Sequence, residues 1–544
     1  MGLIAGICSR NQSDVSELLY RMAIKIQHRG DSPFCICIKH ENAWESMVCE
    51  NPKEILDFKI HFGIIGRHLV LDHENETIPY SDCQNKSFFL IDGQIFNLTQ
   101  IAQELTSVHK GNLANPGVVL HLFEELREKI IDFSHIFEKL LMLMEGIYTG
   151  TFILKEHVFI FRDLIGIKPL YTYLGPKYIA FASEKKALWG TGFKRYIKSL
   201  QPGRIVQVTE KGFTSYFQAE FNWKEIEKGS LTYYTENLLQ LLRNNILKLK
   251  PVNPFSLLLS GGIDSTLLAA LLTKIGINFH SLVIGSEKSK DIQTAQQAAE
   301  SLGIPLEILK FNITTLEELL PLLIYHVESS NEKKLNIAFP LFLASYHLKN
   351  QKYKVVFTGQ GADEIFGGYR RYEIQLLKDP RKLQNILRDD IQNLYLGNLQ
   401  RDDAVSMAYT LELRLPYLTQ DLIEFSMQIP ASWKIQPPVR KYILRQVGKK
   451  IGLSEEYIKQ PKRAIQFSSG SHNTLKKLGK ELGFTKDFTL KNGFFSPTQL
   501  FIDSLAYILG FPDIEPKIIK FVKQKSINWP DSFLKFKNII NKII

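Results

Sequence analysis

Residues 257–272 read LLLSGGIDSTLLAALL, and no other stretch restricts the fold as strongly. An apolar run of strand length ends at Ser260. Gly261 and Gly262 follow, which permits a tight turn and a close backbone approach. Asp264 and Ser265 then open an apolar run of helical length. Strand, glycine turn and helix in that order make one βα unit, which needs a parallel neighbour and cover on both faces. Backbone N–H groups of the turn and the positive end of the helix form a cradle for an anion. The hydroxyls of Ser260 and Ser265 add donors to it. The loop lacks the G-K-[ST] ending of a P-loop that works at the γ-phosphate, and no lysine closes it.

The same rhythm surrounds this unit. ENLLQLLRNNILKLK reads as a helix. The strand patterns FSLLLS, HSLVIG, PLEILKF and KYKVVFTG alternate with helical DIQTAQQAAESLG and FPLFLASYHLK. The alternation predicts a parallel sheet from about residue 237, and the chain beyond about residue 380 reads as mostly helical. The first 220 residues have another grain. FCICIKHE, HFGIIGRHLVL, SFFLIDGQIF, YTGTFILK, HVFIFRD, YIAFASE and RIVQVTEKG are short runs broken by turns. They predict antiparallel strands, with helices at VSELLYRMAIKIQHR and PGVVLHLFEELREKI. The expectation is a two-domain α/β protein: an α+β domain over 1–220, a linker over 221–236, and a parallel-sheet domain over 237–544.

At 544 residues the chain is too long for one core, which agrees with that division. Its residues are 44% hydrophobic and 23% charged, as in a soluble globular protein, and no apolar run is long enough to span a membrane. The first residues lack the regions of a secretory leader, so a cytoplasmic protein without a membrane partner is expected. A net charge of +11 would suit an anionic partner. The lysines are scattered, however, so a solvated surface explains them and no nucleic-acid partner is expected. The cysteines are Cys8, Cys35, Cys37, Cys49 and Cys83, with no C-x-x-C pair. They read as buried thiols in a reducing compartment and not as a metal site.

SGGIDS resembles the signature of ATP pyrophosphatases, which release pyrophosphate and leave AMP on the substrate. FTGQGADEIFGGYRRY (357–372) resembles the second nucleotide-site motif of asparagine synthetases. RDDAVSMAYTLELRLPYL (401–418) and KYILRQVGKKIGLSEEYIKQPKRAIQFSSG (441–470) resemble their substrate-side helix and turn and their C-terminal helix and basic loop. HRGDSP, RDLIGIKPLY, FASEKKAL and LQPGRIVQV resemble the family's N-terminal-nucleophile glutaminase domain. The likeness covers about residues 1–475 in the family's order, and the RDD and PKRAIQF variants resemble archaeal-type synthetases and asparagine synthetase domain-containing proteins.

This resemblance implies an Ntn-hydrolase-like (glutaminase type 2) antiparallel sandwich, followed by an ATP-pyrophosphatase (adenine nucleotide α hydrolase-like) domain with extra helices. It implies adenylation of aspartate by ATP with Mg²⁺, then attack by ammonia drawn from solution or from glutamine. A homodimer is a possible assembly. Asp264 and Asp363 are the implied Mg²⁺ ligands, and Lys462 would hold the leaving pyrophosphate as a point charge. These three are the implied catalytic residues. Ser260, Gly261, Gly262, Asp264, Ser265, Gly359, Gly361 and Lys462 would contact ATP or pyrophosphate, with Gly367 and Gly368 also letting backbone come near. Asp291 would cap its helix or reach phosphate through water. Two positions depart from the family. Gln360 stands where many members have Glu, and Gln cannot act as a base. Thr419 replaces an Asp but can still cap a helix.

The glutaminase resemblance carries heavier losses. An active member needs a terminal cysteine whose own amine serves as base. The family's C-G-I start is matched by Ala5-Gly6-Ile7, which has no thiol and follows four other residues. The N-G-E stretch reads Asp92-Gly93-Gln94, placing a carboxylate where an oxyanion donor is needed. Pro116 stands where a substrate-gripping Asp is expected, and Arg67 is the nearest candidate for the substrate arginine. Cys8 lies three positions after Ala5, on the opposite strand face. A folded but degenerate glutaminase is therefore expected, with free ammonia as nitrogen source. The alternatives are a non-catalytic binding or assembly module, and a ligase of the same chemistry on another carboxylate.

Overall fold

The computed structural model describes residues 2–41, 43–71, 78–109, 113–223, 229–459, 465–525 and 527–543, with backbone alone over 538–543. The chain divides into two compact units: residues 1–222 with 392–403, and residues 223–391 with 404–543.

The first unit holds two antiparallel sheets. Its strands are β1 (Gly2–Ser9), β2 (Phe34–Lys39), β3 (Trp44–Cys49), β4 (Phe62–His68), β5 (Tyr80–Ser81), β6 (Phe88–Ile95), β7 (Gly146–Ile153), β8 (Val158–Arg162), β9 (Tyr171–Leu174), β10 (Tyr178–Ala182), β11 (Ile197–Ser199), β12 (Arg204–Thr209) and β13 (Gly212–Gln218). One sheet has the order β11-β9-β10-β1-β4-β2-β3, and the other β13-β12-β8-β7-β6-β5. Side-chain alternation sorts the layers. Leu3, Ala5 and Ile7 of β1 pack with Leu19, Met22, Ala23 and Ile26 of helix Ser16–Ile26. Ile4 and Cys8, on the other face, join Cys35, Cys37, Ile64 and Leu90 in a second core. Beyond the second sheet, Phe123 of one helix stacks on Phe152, and Phe137 of another meets Phe159 edge to face. The unit is thus an α+β sandwich of helix, sheet, sheet and helix.

The second unit carries the parallel sheet: β14 (Ser256–Leu258), β15 (His280–Ser286), β16 (Glu307–Phe311), β17 (Val355–Phe357) and β18 (Glu412–Arg414). The order is β16-β15-β14-β17-β18, and every pairing is parallel. The chain leaves β14 toward one edge and returns to the other side of it as β17. That reversal makes a switch point between β14 and β17, where open α/β sheets bind ligands beyond their strand ends. No helix among the described residues is long and apolar enough to cross a membrane.

Two expected boundaries change. Helix Leu231–Leu249, capped by the Ser230 hydroxyl on the Tyr233 N–H, begins inside the expected 221–236 linker. Residues 392–403, expected in the second domain, belong to the first unit. Buried Leu399 and Tyr395, the latter lying under the Arg162 guanidinium, anchor that segment together with Asp403. β18 was also hidden in a stretch that reads as helical. It is three residues long, too short to show a period. Four of the five cysteines are buried as expected, but Cys83 is exposed.

Candidate active site

The βα turn after β14 is built as its sequence requires. Gly261 has φ +73, and a Cβ there would collide with the Thr294 carbonyl group. Gly262 caps helix Ile263–Ile275, whose first turn carries Asp264. The hydroxyls of Ser260 and Ser265 are 3.1 Å apart, and Ser265 Oγ accepts the Ser260 N–H at 3.2 Å. The two serines therefore brace the turn as well as offering polar atoms to a ligand. Thr294 donates to the Ser260 carbonyl at 2.9 Å and ties the turn to helix Lys290–Leu302.

β17 delivers the second loop beside the first. Gly359 follows the strand, and a Cβ on it would press on the Asp264 Cβ. Gly361 has φ +92 and precedes the short helix Ala362–Ile365 that presents Asp363. Asp264 and Asp363 converge on one cation that sequence reading overlooked. Lys441 Nζ lies 2.5 Å from Asp264 Oδ2 and 2.7 Å from Asp363 Oδ1. Its side chain is fully buried, and it stands at the N-cap of helix Tyr442–Lys450. The backbone at Gly368 passes so close that a Cβ there would strike Asp363 and Lys441. Lys441 opens the quoted stretch KYILRQ, but its role depends on folding two loops onto it.

The cluster carries two carboxylates against one ammonium. Asp264 Oδ1 is buried and has no hydrogen-bond partner among the described residues. An orphaned, buried carboxylate oxygen is costly unless a ligand satisfies it. Its backbone is fixed by Tyr417, whose hydroxyl donates to the Asp264 carbonyl at 2.9 Å. Beside it, burial and the Asp363 charge push the Glu364 carboxyl up, and the Tyr369 hydroxyl donates to it at 2.6 Å. Gln360 is half-buried on the same loop, its N–H directed to Thr358 Oγ1 at 3.4 Å.

Other expected positions fall differently. Ser289, not Asp291, caps helix Lys290–Leu302. Asp291 Oδ2 instead accepts the Ser468 hydroxyl at 2.9 Å, which anchors the segment after the basic loop. Thr419 occupies an N-cap position, but its hydroxyl makes no cap bond and accepts from Asn245 at 2.6 Å. Lys462 lies outside the described residues.

The first unit has a second polar constellation. Asp92 on β6 faces Gly2, accepting its N–H at 2.9 Å, while Arg29 Nε donates to the Gly2 carbonyl at 2.8 Å. Ala5 lies three residues further on, paired with Ala182 and Ile65 and packed on the helix side. The residue at Asp92 is therefore Gly2 and not Ala5, because a three-residue step along a strand also reverses the face. Cys8 does lie on the face opposite Ala5, and burial pushes its thiol up to about 12. Gly93 runs against the Ile147 carbonyl with φ +136, and Gln94 pairs with Ile147. Pro116 is buried just before helix Val118–Lys129. Arg67 spends its guanidinium on the carbonyls of Ser32 and Gln27.

Charged side chains gather around this constellation. Arg29 contacts Asp92 at 3.0 Å, Glu184 at 2.9 Å and Asp403 at 2.8 Å. Lys168 reaches Asp403 at 2.9 Å, and Lys186 pairs with Glu184. Burial alone would lower Arg29, but Asp403, Asp92 and Glu184 together hold it well above its usual value. Burial would likewise raise Asp92 and Glu184. Arg29 and Lys168 outweigh it at Asp92, and Lys186, His28 and Arg29 at Glu184, so both carboxyls sit below their usual range.

Comparison with known proteins gives separate family models for the two halves of the chain. The asparagine synthase family model matches residues 247–384 and 375–500, and the glutamine amidotransferase domain model matches residues 66–190. The chain is 29% identical over 478 residues to asparagine synthetase (glutamine-hydrolyzing) 1 as assigned in Methanocaldococcus jannaschii, covering 78% of this chain and 84% of that protein. It is 30% identical over 400 residues to asparagine synthetase (glutamine-hydrolyzing) 2 of Oryza sativa subsp. japonica, covering 70% and 64%. Among solved structures it is similar to a glutamine phosphoribosylpyrophosphate amidotransferase from B. subtilis complexed with ADP and GMP, at 16% identity and TM-score 0.34 over 56% of this chain and 65% of that one. It is also similar to NMN synthetase from Francisella tularensis, at 15% identity and TM-score 0.27 over 58% and 94%. Neither structural likeness informs the site. Family models and relatives together define the class as an ATP-dependent ligase joined to a glutamine amidotransferase-type domain. Within that class, the chain belongs to the asparagine synthetase family.

Proposed function

We propose that this protein is an AMP-forming amidoligase that converts aspartate to asparagine with ATP and free ammonia. The convergence of Asp264 and Asp363 on buried Lys441 at the switch point supports this reading most. A carboxylate is a poor electrophile, so its oxygen attacks the α-phosphorus of ATP and the bond to pyrophosphate breaks. Ammonia then attacks the acyl carbon, AMP leaves, and the nitrogen sheds a proton. The turn at Ser260–Gly262 and the helix start beyond it would cradle phosphate. Lys441 would offset phosphate charge and hold the two loops together, with Lys462 proposed for the leaving pyrophosphate. Asp264 and Asp363 fit Mg²⁺, since hard carboxylate oxygens suit it and Asp264 Oδ1 awaits a partner. When bound, the ion would neutralise phosphate charge.

The first unit supports free ammonia as the nitrogen source. The residue facing Asp92 is glycine, and Arg29 with its partners occupies the pocket. ATP–pyrophosphate exchange across a panel of carboxylates tests the reading. Exchange should be greatest with aspartate, and asparagine should form with ammonium and not with glutamine. Exchange driven by another acid would reassign the substrate. Exchange no greater than in Asp264→Ala would leave a binding or assembly module, the reading that Gln360 favours because its amide cannot take a proton.

A further inference from the structure

Outside both constellations, the first unit assembles a thiol and two imidazoles that no family motif accounts for. Cys83 follows β5, His109 lies in the loop after helix Leu98–Gln103, and His121 sits in helix Val118–Lys129. Cys83 Sγ is 3.7 Å from His109 Nδ1 and 3.9 Å from His121 Nδ1. One ligand atom from each residue lies within 4.8 Å of the other two. Bond lengths of about 2.3 Å to sulfur and 2.05 Å to nitrogen in a tetrahedral zinc site place S and N about 3.6 Å apart. The three side chains therefore already stand near the spacing of a zinc shell.

The surroundings orient them. His109 Nε2 lies 2.9 Å from Glu125 Oε1, and this carboxylate also accepts from Thr106 N–H at 2.9 Å, Thr106 Oγ1 at 2.6 Å and Ser107 N–H at 2.7 Å. An acceptor at Nε2 places the proton there and leaves the Nδ1 lone pair toward Cys83. That is the carboxylate–histidine–metal arrangement in which an outer partner fixes ring and tautomer. Glu124 Oε2 lies 3.4 Å from His121 Nδ1. Cys83 is exposed, so an ion has a path in, while His121 is buried and holds its place.

We propose that Cys83, His109 and His121 form a zinc site that staples the β5–β6 turn to the loop and helix behind Pro116. A thiolate with two imidazoles is a borderline-soft donor set that suits Zn²⁺ over Mg²⁺ or Ca²⁺. This reading departs from the expectation of buried thiols without a metal site, and begins from the exposure of Cys83. It is independent of the proposed ligase activity, because its readouts are spectroscopic and stoichiometric.

The test uses the full chain, purified without chelator or histidine tag. Elemental analysis should find about one zinc per chain. The chelated protein, titrated with Co²⁺, should develop a thiolate-to-cobalt charge-transfer band. Cys83→Ser should abolish that band, and Cys49→Ser should leave it. Glu125→Gln, a change to the positioning residue, should weaken zinc binding by about 10–100-fold with the band retained. Absence of both zinc and the cobalt band would overturn the proposal, as would a band that survives Cys83→Ser. Cys83 is exposed, so its serine variant should fold and decide the matter even if a His121 variant does not.

Discussion

In the first unit Arg29, Lys168 and Lys186 are matched by Asp92, Glu184 and Asp403. In the second, Lys441 bridges Asp264 and Asp363. The first set is buried, the second is a buried lysine with two half-buried carboxylates, and each draws on distant parts of the chain. In the first, each carboxylate oxygen lies against a cation or a backbone N–H. Among the described residues, the second pairs two carboxylates with one ammonium and leaves Asp264 Oδ1 without a hydrogen-bond partner. A balanced network closes a pocket, whereas an unbalanced one is finished only by a ligand. Burial of charge is thus no sign of activity by itself, and the remaining bonding capacity separates the two.

The sharpest way to break this contrast is Arg29→Met. It leaves Asp92, Glu184 and Asp403 buried without their shared cation, and loss of one partner from such a set costs about 3–5 kcal/mol. Urea unfolding should show that loss. A change under about 1 kcal/mol would mean that the network does not hold the pocket. In the second unit, Asp264→Ala should cut ATP–pyrophosphate exchange by about 10²–10³-fold, the usual scale for removing one group that stabilises developing charge. Unchanged unfolding with exchange lost would confirm that its cluster serves a ligand; equal loss of stability would make it structural.

Acid should also separate the units. Asp92 and Glu184 have folded pKa values below the unfolded ones, so their contribution is complete above the usual carboxylate range, near about 4. It disappears as pH falls through the lower folded values. Stability should therefore drop steeply below about pH 4 in the parent chain, and less steeply in Arg29→Met. A parallel slope in both would detach the effect from this network. The smallest expected effect is on nitrogen source. Gly2→Cys should give no glutamine-dependent synthesis, since a side chain at residue 2 would meet the Arg67 carbonyl and Asp92 remains in place. Product formed from glutamine by that variant would show that the pocket is open.

Much of the fold was legible. The strand patterns from FCICI to RIVQV and the βα rhythm after residue 237 became strands and crossovers because their periods match their burial. The turn at Ser260–Gly262 was readable because glycine conformation and helix start are local matters. Ala5 was misplaced for a local reason too: Ile4-Ala5-Gly6-Ile7 accepts a three-residue shift, and only pairing with β4 and β10 sets the register. Asp291 and Thr419 looked like caps, but partners from Ser468 and Asn245 took their side chains.

By itself, the sequence determined the parts: a glycine turn proposed to cradle phosphate, two acidic loops, and a glutamine amidotransferase-type domain with glycine facing Asp92. Tertiary structure decided who meets whom. Lys441 reaches Asp264 across 177 residues, and Asp403 reaches Arg29 across 374. Cys83, His109 and His121 come together only when β5, a loop and a helix are in place. Local period and turn chemistry act over a few residues. Matching one buried charge to another requires the whole core to bring them within reach and to exclude the water that would otherwise screen them.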